Sequence, residues 1–187
     1  MTEQAIIDRL TINARNGRGF WIGLCADRNA KHELTKLEIE KINDNLQLVN
    51  DETHITLAHM GRQNDQRVVE SALIAAEMTA SSFDCSSVSV EGVARFMNHL
   101  VMIVAPKMID AVGKHLDAGL SDRHVFPDRT FAGVRHVTIG SLKRGVIDTS
   151  FKICRTDRYD LVFTKMIVVC GDERVEFKLQ ATPPDPF

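Results

Sequence analysis

His54-Ile55-Thr56-Leu57 and His136-Val137-Thr138-Ile139 are two copies of one pattern: histidine, apolar, threonine, apolar. Successive side chains of a β-strand point to opposite faces. In an extended chain His54 and Thr56 therefore share one face, and Ile55 and Leu57 share the other. His136 and Thr138 stand in the same relation to Val137 and Ile139. Each stretch can bury an aliphatic pair while holding an imidazole and a hydroxyl toward a cleft.

The flanking sequence repeats as well. Phe20 to Cys25 reads as a buried strand. A capping box at Thr35-Lys36-Leu37-Glu38 opens an amphipathic helix to about Leu46, and the first motif strand follows, from about Thr53 to Met60. In the second half His99 to Ala105 is an apolar strand. Pro106 opens a helix through Met108, Val112 and Leu116, and Gly119 ends it. The second motif strand spans about Arg135 to Leu142. Strand, helix and motif strand thus occur twice, which predicts a duplicated unit whose two motif strands line one groove.

Residues 1–16 predict one or two helical turns, and Asn64 or Asp65 caps a helix reaching about Ala80. Ser87 to Phe96 is a strand, 120–134 a long loop, and 159–170 and 173–179 are strands joined at Gly171-Asp172. The length fits one domain, or two small lobes that share a core, and 183–187 form a loose tail.

Composition narrows the setting. The 187 residues carry a formal net charge of -2, which argues against a broad nucleic-acid surface but permits a local basic pocket. The four cysteines have no close pairing and read as reduced thiols of a cytoplasmic protein. Met1-Thr2-Glu3-Gln4 is not a secretory signal, and no apolar stretch approaches the roughly 20 residues of a membrane span. A cytoplasmic monomer without membrane contact is expected.

The paired motifs suggest a chemistry directly. Hydrolysing a phosphodiester needs a base for the water and an acid for the leaving oxygen. Histidine suits both, because its ordinary pKa is near 6.5. The threonine hydroxyls beside the imidazoles can donate to the phosphoryl oxygens. The candidate catalytic residues are His54, Thr56, His136 and Thr138, and the scheme calls for neither metal nor cofactor.

The two motifs resemble the paired signature of the 2H phosphoesterase superfamily. The wider string His54-Ile-Thr-Leu-Ala-His-Met-Gly61 is closest to its RNA-repair and tRNA-ligase phosphodiesterase branch. The resemblance implies an α+β, bilobal pseudo-twofold fold in a single domain over 1–182, with two antiparallel sheets flanking a central groove and helices packed outside. It also implies hydrolysis of a 2',3'-cyclic phosphate, on an RNA end or a nucleotide, to a 2'-phosphate. Degradation of cyclic di- or oligonucleotide signals, as in phage members, and a silent nucleotide- or RNA-binding module are the alternatives.

Other residues read less sharply. Arg62 beyond the first motif, Lys143 and Arg144 beyond the second, and Arg15 and Arg18 before the Phe20 strand are cations that could hold phosphate. Phe131, in the loop before the second motif, is a candidate stacking lid, while Trp21 reads as core. His59 stands at an odd offset from His54 and is expected on the opposite face. A metal site built on His54 and His59 lacks an acidic residue at zinc spacing.

Overall fold

The computed structural model describes residues 2–27, 46–48, 53–61, 63–96, 98–128, 135–142 and 159–180. These form three helices and eight strands. In chain order they are α1 (Glu3–Arg15), β1 (Phe20–Ala26), β2 (Leu46–Leu48), β3 (His54–Gly61), α2 (Gln66–Ala80), β4 (Ser86–Phe96), β5 (His99–Val104), α3 (Pro106–Ser121), β6 (His136–Leu142), β7 (Tyr159–Cys170) and β8 (Glu173–Lys178).

The fold is α+β. All ladders between these strands are antiparallel, in the order β2-β6-β5-β4-β7-β1-β3, with β8 on β7. The two expected sheets are its halves. They join where Ser86 to Val90 of β4 pairs with Tyr159 to Phe163 of β7. The continuous sheet curls enough that Cα atoms of β3 and β6, near its two ends, come within 8 Å. The motif strands therefore meet without sharing a ladder.

The helices pack on the apolar face. Phe20, Ile22, Leu24, Ile55, Met60, Met102, Leu161 and Phe163 are fully buried there, with Ile109, Leu116 and Leu120 of α3. Thr2 caps α1 by accepting from the Ala5 N–H, and Asp65 caps α2 by accepting from the Arg67 N–H. Each cap stabilises its helix by about 1 kcal/mol.

Several elements differ from expectation. The first helix is a full 13 residues, because Ile7, Leu10, Thr11 and Ala14 all find burial. Thr11 satisfies its buried hydroxyl by donating to the Ile7 carbonyl. Gly119 does not end α3, which continues to Ser121 and buries Leu120. The glycine faces α2, where a Cβ would make an ordinary van der Waals contact with the Ala75 Cβ at 3.5 Å. Leu46 opens strand β2, so a helix reaching that residue is excluded. Residues 28–45 and the 183–187 tail lie outside the described residues. The Gly171-Asp172 hairpin forms as expected, with Gly171 at φ +61 as its turn requires.

Candidate active site

β1 pairs with β3 so that Cys25 faces His54, Gly23 faces Thr56 and Ile22 faces Ala58. Leu57 is skipped. β5 pairs with β6 so that Ile103 faces His136, Val101 faces Thr138 and Leu100 faces Gly140. Ile139 is skipped. Both motifs therefore carry a β-bulge at the same place, directly after the threonine. A bulge adds twist and re-aims the side chains beyond it.

The burial follows that geometry. His54 is half-buried and Thr56 exposed, while Ile55, Leu57 and Ala58 are buried. His136 and Thr138 are half-buried, while Val137, Ile139 and Gly140 are buried. Two consecutive inward residues break the alternation, and the next side chain emerges on the same face as the motif histidine. On β3 that residue is His59, and on β6 it is Ser141. The expectation that His59 faces away from His54 is thus overturned by the bulge. Register agrees, because His59 lies opposite Trp21 and Ser141 opposite His99.

Aromatic rings back both motif imidazoles. Trp21 stacks on His54, with ring centroids 4.5 Å apart and planes inclined by 23°. Phe96 lies against His136 at 5.2 Å and 37°. Trp21 is therefore half-buried on the motif face, not a core residue. Gly23 leaves its ring room to lie along the strand. A Cβ there would come within 3.1 Å of Trp21 Cζ3 and collide with the Ile55 carbonyl oxygen.

Hydrogen bonds fix the neighbouring rings. His59 Nδ1 accepts from the Gly61 N–H at 3.1 Å, which in the neutral ring leaves the proton on Nε2. The Asp128 N–H donates to the His59 carbonyl at 2.7 Å and brings the loop before β6 against β3. On β6, Ser141 Oγ and His99 Nδ1 are 3.1 Å apart.

Cationic side chains share the His54 face from two and three strands away. Lys165 lies opposite Cys25 in the β1–β7 ladder, and Cys25 lies opposite His54. Arg174 on β8 reaches Cys25 Sγ at 3.7 Å. Glu176 accepts from Lys165 at 2.7 Å and pairs with Arg174 at 2.8 Å. Neither cation stands out in the sequence, because β7 and β8 are remote from the motifs along the chain.

Among the described residues, no group of three His, Cys, Asp or Glu side chains converges as a metal site requires. No helix is long and apolar enough to cross a membrane among those residues.

No family model and no curated protein matches the sequence. Solved structures match the backbone. TT0787 of Thermus thermophilus superposes with a TM-score of 0.64 at 11% identity, over 88% of this chain and 100% of that one. E. coli LigT in apo form gives 0.57 at 10%, over 87% and 95%. The MHV ns2 PDE domain gives 0.55 at 12%, over 78% and 98%. The chain shares the fold of these structures.

Within that shared fold, the structure places His54, Thr56, His136 and Thr138 on the open face of two strands that approach each other. Arg18 is not brought to them. It pairs with Asp172 and packs on Gly171, beyond the Phe20 end of β1, whereas His54 lies opposite Cys25 near the other end. Arg62, Phe131, Lys143 and Arg144 lie outside the described residues.

Proposed function

We propose that the chain is a metal-independent phosphodiesterase that hydrolyses a 2',3'-cyclic phosphate, on an RNA end or a nucleotide, and leaves a 2'-phosphate. One observation carries the reading. The same constellation of imidazole, hydroxyl and following bulge occurs on both motif strands, with an aromatic ring behind each imidazole. A pure binding surface has no need of two matched proton-transfer groups.

In this reading a water oxygen attacks phosphorus while one motif imidazole takes its proton. The bond from phosphorus to the ribose 3'-oxygen breaks, and that oxygen keeps the electron pair. The other imidazole, initially protonated, delivers a proton to it. Thr56 and Thr138 donate to the non-bridging oxygens as negative charge builds there. Each proton transfer supplies about 100- to 10,000-fold. We assign Lys165 and Arg174, which share the His54 face, the role of holding a neighbouring phosphate of a longer substrate. The fold likeness supports the assignment, as do structures of E. coli LigT with 3'-AMP and with ATP.

The test incubates the protein in EDTA with nucleoside 2',3'-cyclic phosphates, cyclic-phosphate-ended RNA and cyclic dinucleotides, and identifies the products. Turnover to 2'-phosphates, abolished in His54→Ala and His136→Ala, is expected. Turnover of cyclic dinucleotides alone would assign a signal-degrading enzyme, and tight binding without turnover a recognition module. Activity that EDTA abolishes and divalent metal restores would overturn the mechanism.

A further inference from the structure

We propose that Arg135 is a positioning residue that sets the separation of the two motif strands. The proposal rests on the phosphodiesterase reading for its kinetic consequence, but its structural content stands apart. Arg135 immediately precedes His136, and its carbonyl accepts from the Val104 N–H at 3.3 Å, which fixes its backbone to the end of β5. Its guanidinium turns the other way, toward β3 and α3. Nη1 donates to the Leu57 carbonyl of β3 at 3.4 Å, and Nε donates to Asp110 Oδ1 of α3 at 3.2 Å. The side chain is only 18% exposed.

The partner on β3 matters. Leu57 is the bulged residue directly after Thr56, so no β1 residue lies opposite it. Among the described residues β3 is also a terminal strand of the sheet order, with β1 on one side. A carbonyl on the other side has no ladder partner among them, and Arg135 supplies a donor there. One guanidinium thus links the residue after Thr56 to the residue before His136. The two motif strands, which share no ladder, acquire a direct tie.

The pocket is shaped for a guanidinium. Gly113 of α3 is buried beneath it, and a Cβ at that position would stand 2.8 Å from Nη2. A planar fork with donors in several directions can bond Asp110 and the Leu57 carbonyl together. A lysine ammonium on a single stem has no such fixed geometry. Asp110 sets the fork's rotation from the helix side. The histidine-to-histidine gap then follows from a side chain that touches neither substrate nor imidazole. Misplacing reacting groups by about 1 Å can cost about 100-fold in rate.

The experiment uses the full chain, with 2',3'-cyclic AMP as the kinetic probe and residue-resolved amide hydrogen exchange as an independent readout. Arg135→Ala is expected to lower kcat roughly 100-fold with KM little changed. Gly113→Ala should give a smaller loss by displacing Nη2. Arg135→Lys should fail to restore the rate, whereas added ethylguanidinium should partly restore it in Arg135→Ala. Exchange should accelerate in β3 and β6 together while the β7–β8 hairpin keeps its protection, which excludes general unfolding. If exchange in β3 is unchanged in Arg135→Ala, or if Arg135→Lys behaves as wild type in both readouts, the proposal is overturned. If wild type turns over neither 2',3'-cyclic AMP nor cyclic-phosphate-ended RNA, the proposed phosphodiesterase reading falls and the exchange result alone decides the role of Arg135.

Discussion

The Trp21 indole lies along β1 across the side-chain-free position of Gly23 and stacks on the His54 imidazole, at 4.5 Å between centroids. A ring so placed limits the rotation of the imidazole without using either of its nitrogens. Trp21→Ala is expected to lower kcat roughly 10-fold, since orientation of the reacting group is a large part of its efficiency. Trp21→Phe should recover most of that loss. Steady-state kinetics on the cyclic phosphate distinguishes the two variants.

Gly23→Ala tests the same arrangement from beneath. The added methyl meets Trp21 Cζ3 and the Ile55 carbonyl, and the carbonyl belongs to backbone that cannot move without disturbing β3. Overpacking of this kind costs about 1–3 kcal/mol. A lowered thermal midpoint is expected, with a loss of rate beyond what the remaining folded fraction explains.

Replacing either motif histidine by alanine should reduce kcat by about 100- to 10,000-fold with little loss of stability, because both side chains are half-buried on the open face. The double variant should be scarcely slower than the worse single one, since acid and base act in one step. Wild-type rate should show a bell-shaped dependence on pH, with one limb missing in each single variant.

His59 gives a prediction that depends on substrate length. Along β3 it lies about 15 Å from His54 at strand rise, with Trp21 between them. A mononucleotide bound at the imidazoles does not span that distance, and an oligonucleotide does. His59→Ala should therefore raise KM for cyclic-phosphate-ended RNA several-fold and leave KM for a mononucleotide unchanged.

Cys170 provides a pH test of stability. Burial pushes its thiol up to about 11 from an ordinary 9.0, with the Arg18 charge opposing the shift. The raised value means that folding favours the protonated thiol. Its contribution is fully present below pH 9 and is lost as pH rises toward 11. Urea midpoints should fall more over that window in wild type than in Cys170→Ala. Alkylation at pH 8 should require unfolding.

Much of this was readable from the chain. The alternation of His54, Ile55, Thr56 and Leu57 marked the strand and its two faces, and Gly171-Asp172 marked the hairpin. The bulges at Leu57 and Ile139 were not readable, because a bulge is a property of how two strands pair. Without them, simple alternation puts His59 on the wrong face. Arg135 carries no signal in the sequence because its acceptors, Asp110 and the Leu57 carbonyl, are a helix residue and a main-chain atom far away along the chain. Gly119 resembles a helix stop, but the burial of Leu120 beyond it carries α3 on to Ser121. Trp21 reads as core because Phe20, Ile22 and Leu24 around it are core, and the ring itself lies on the other face.

The position of β7 has a consequence for how the protein is made. This strand lies between β1 and β4, so the two halves of the sheet are joined by a strand synthesised after β1 to β6. Until residues 159–170 emerge, β1 offers an open hydrogen-bonding edge and the histidine strands have no shared frame. Contacts between such distant parts of a chain close slowly. Nascent chains stopped before β7 should stay sensitive to protease and prone to aggregate, and the acquisition of both histidine strands as one unit should be a late, all-or-none event.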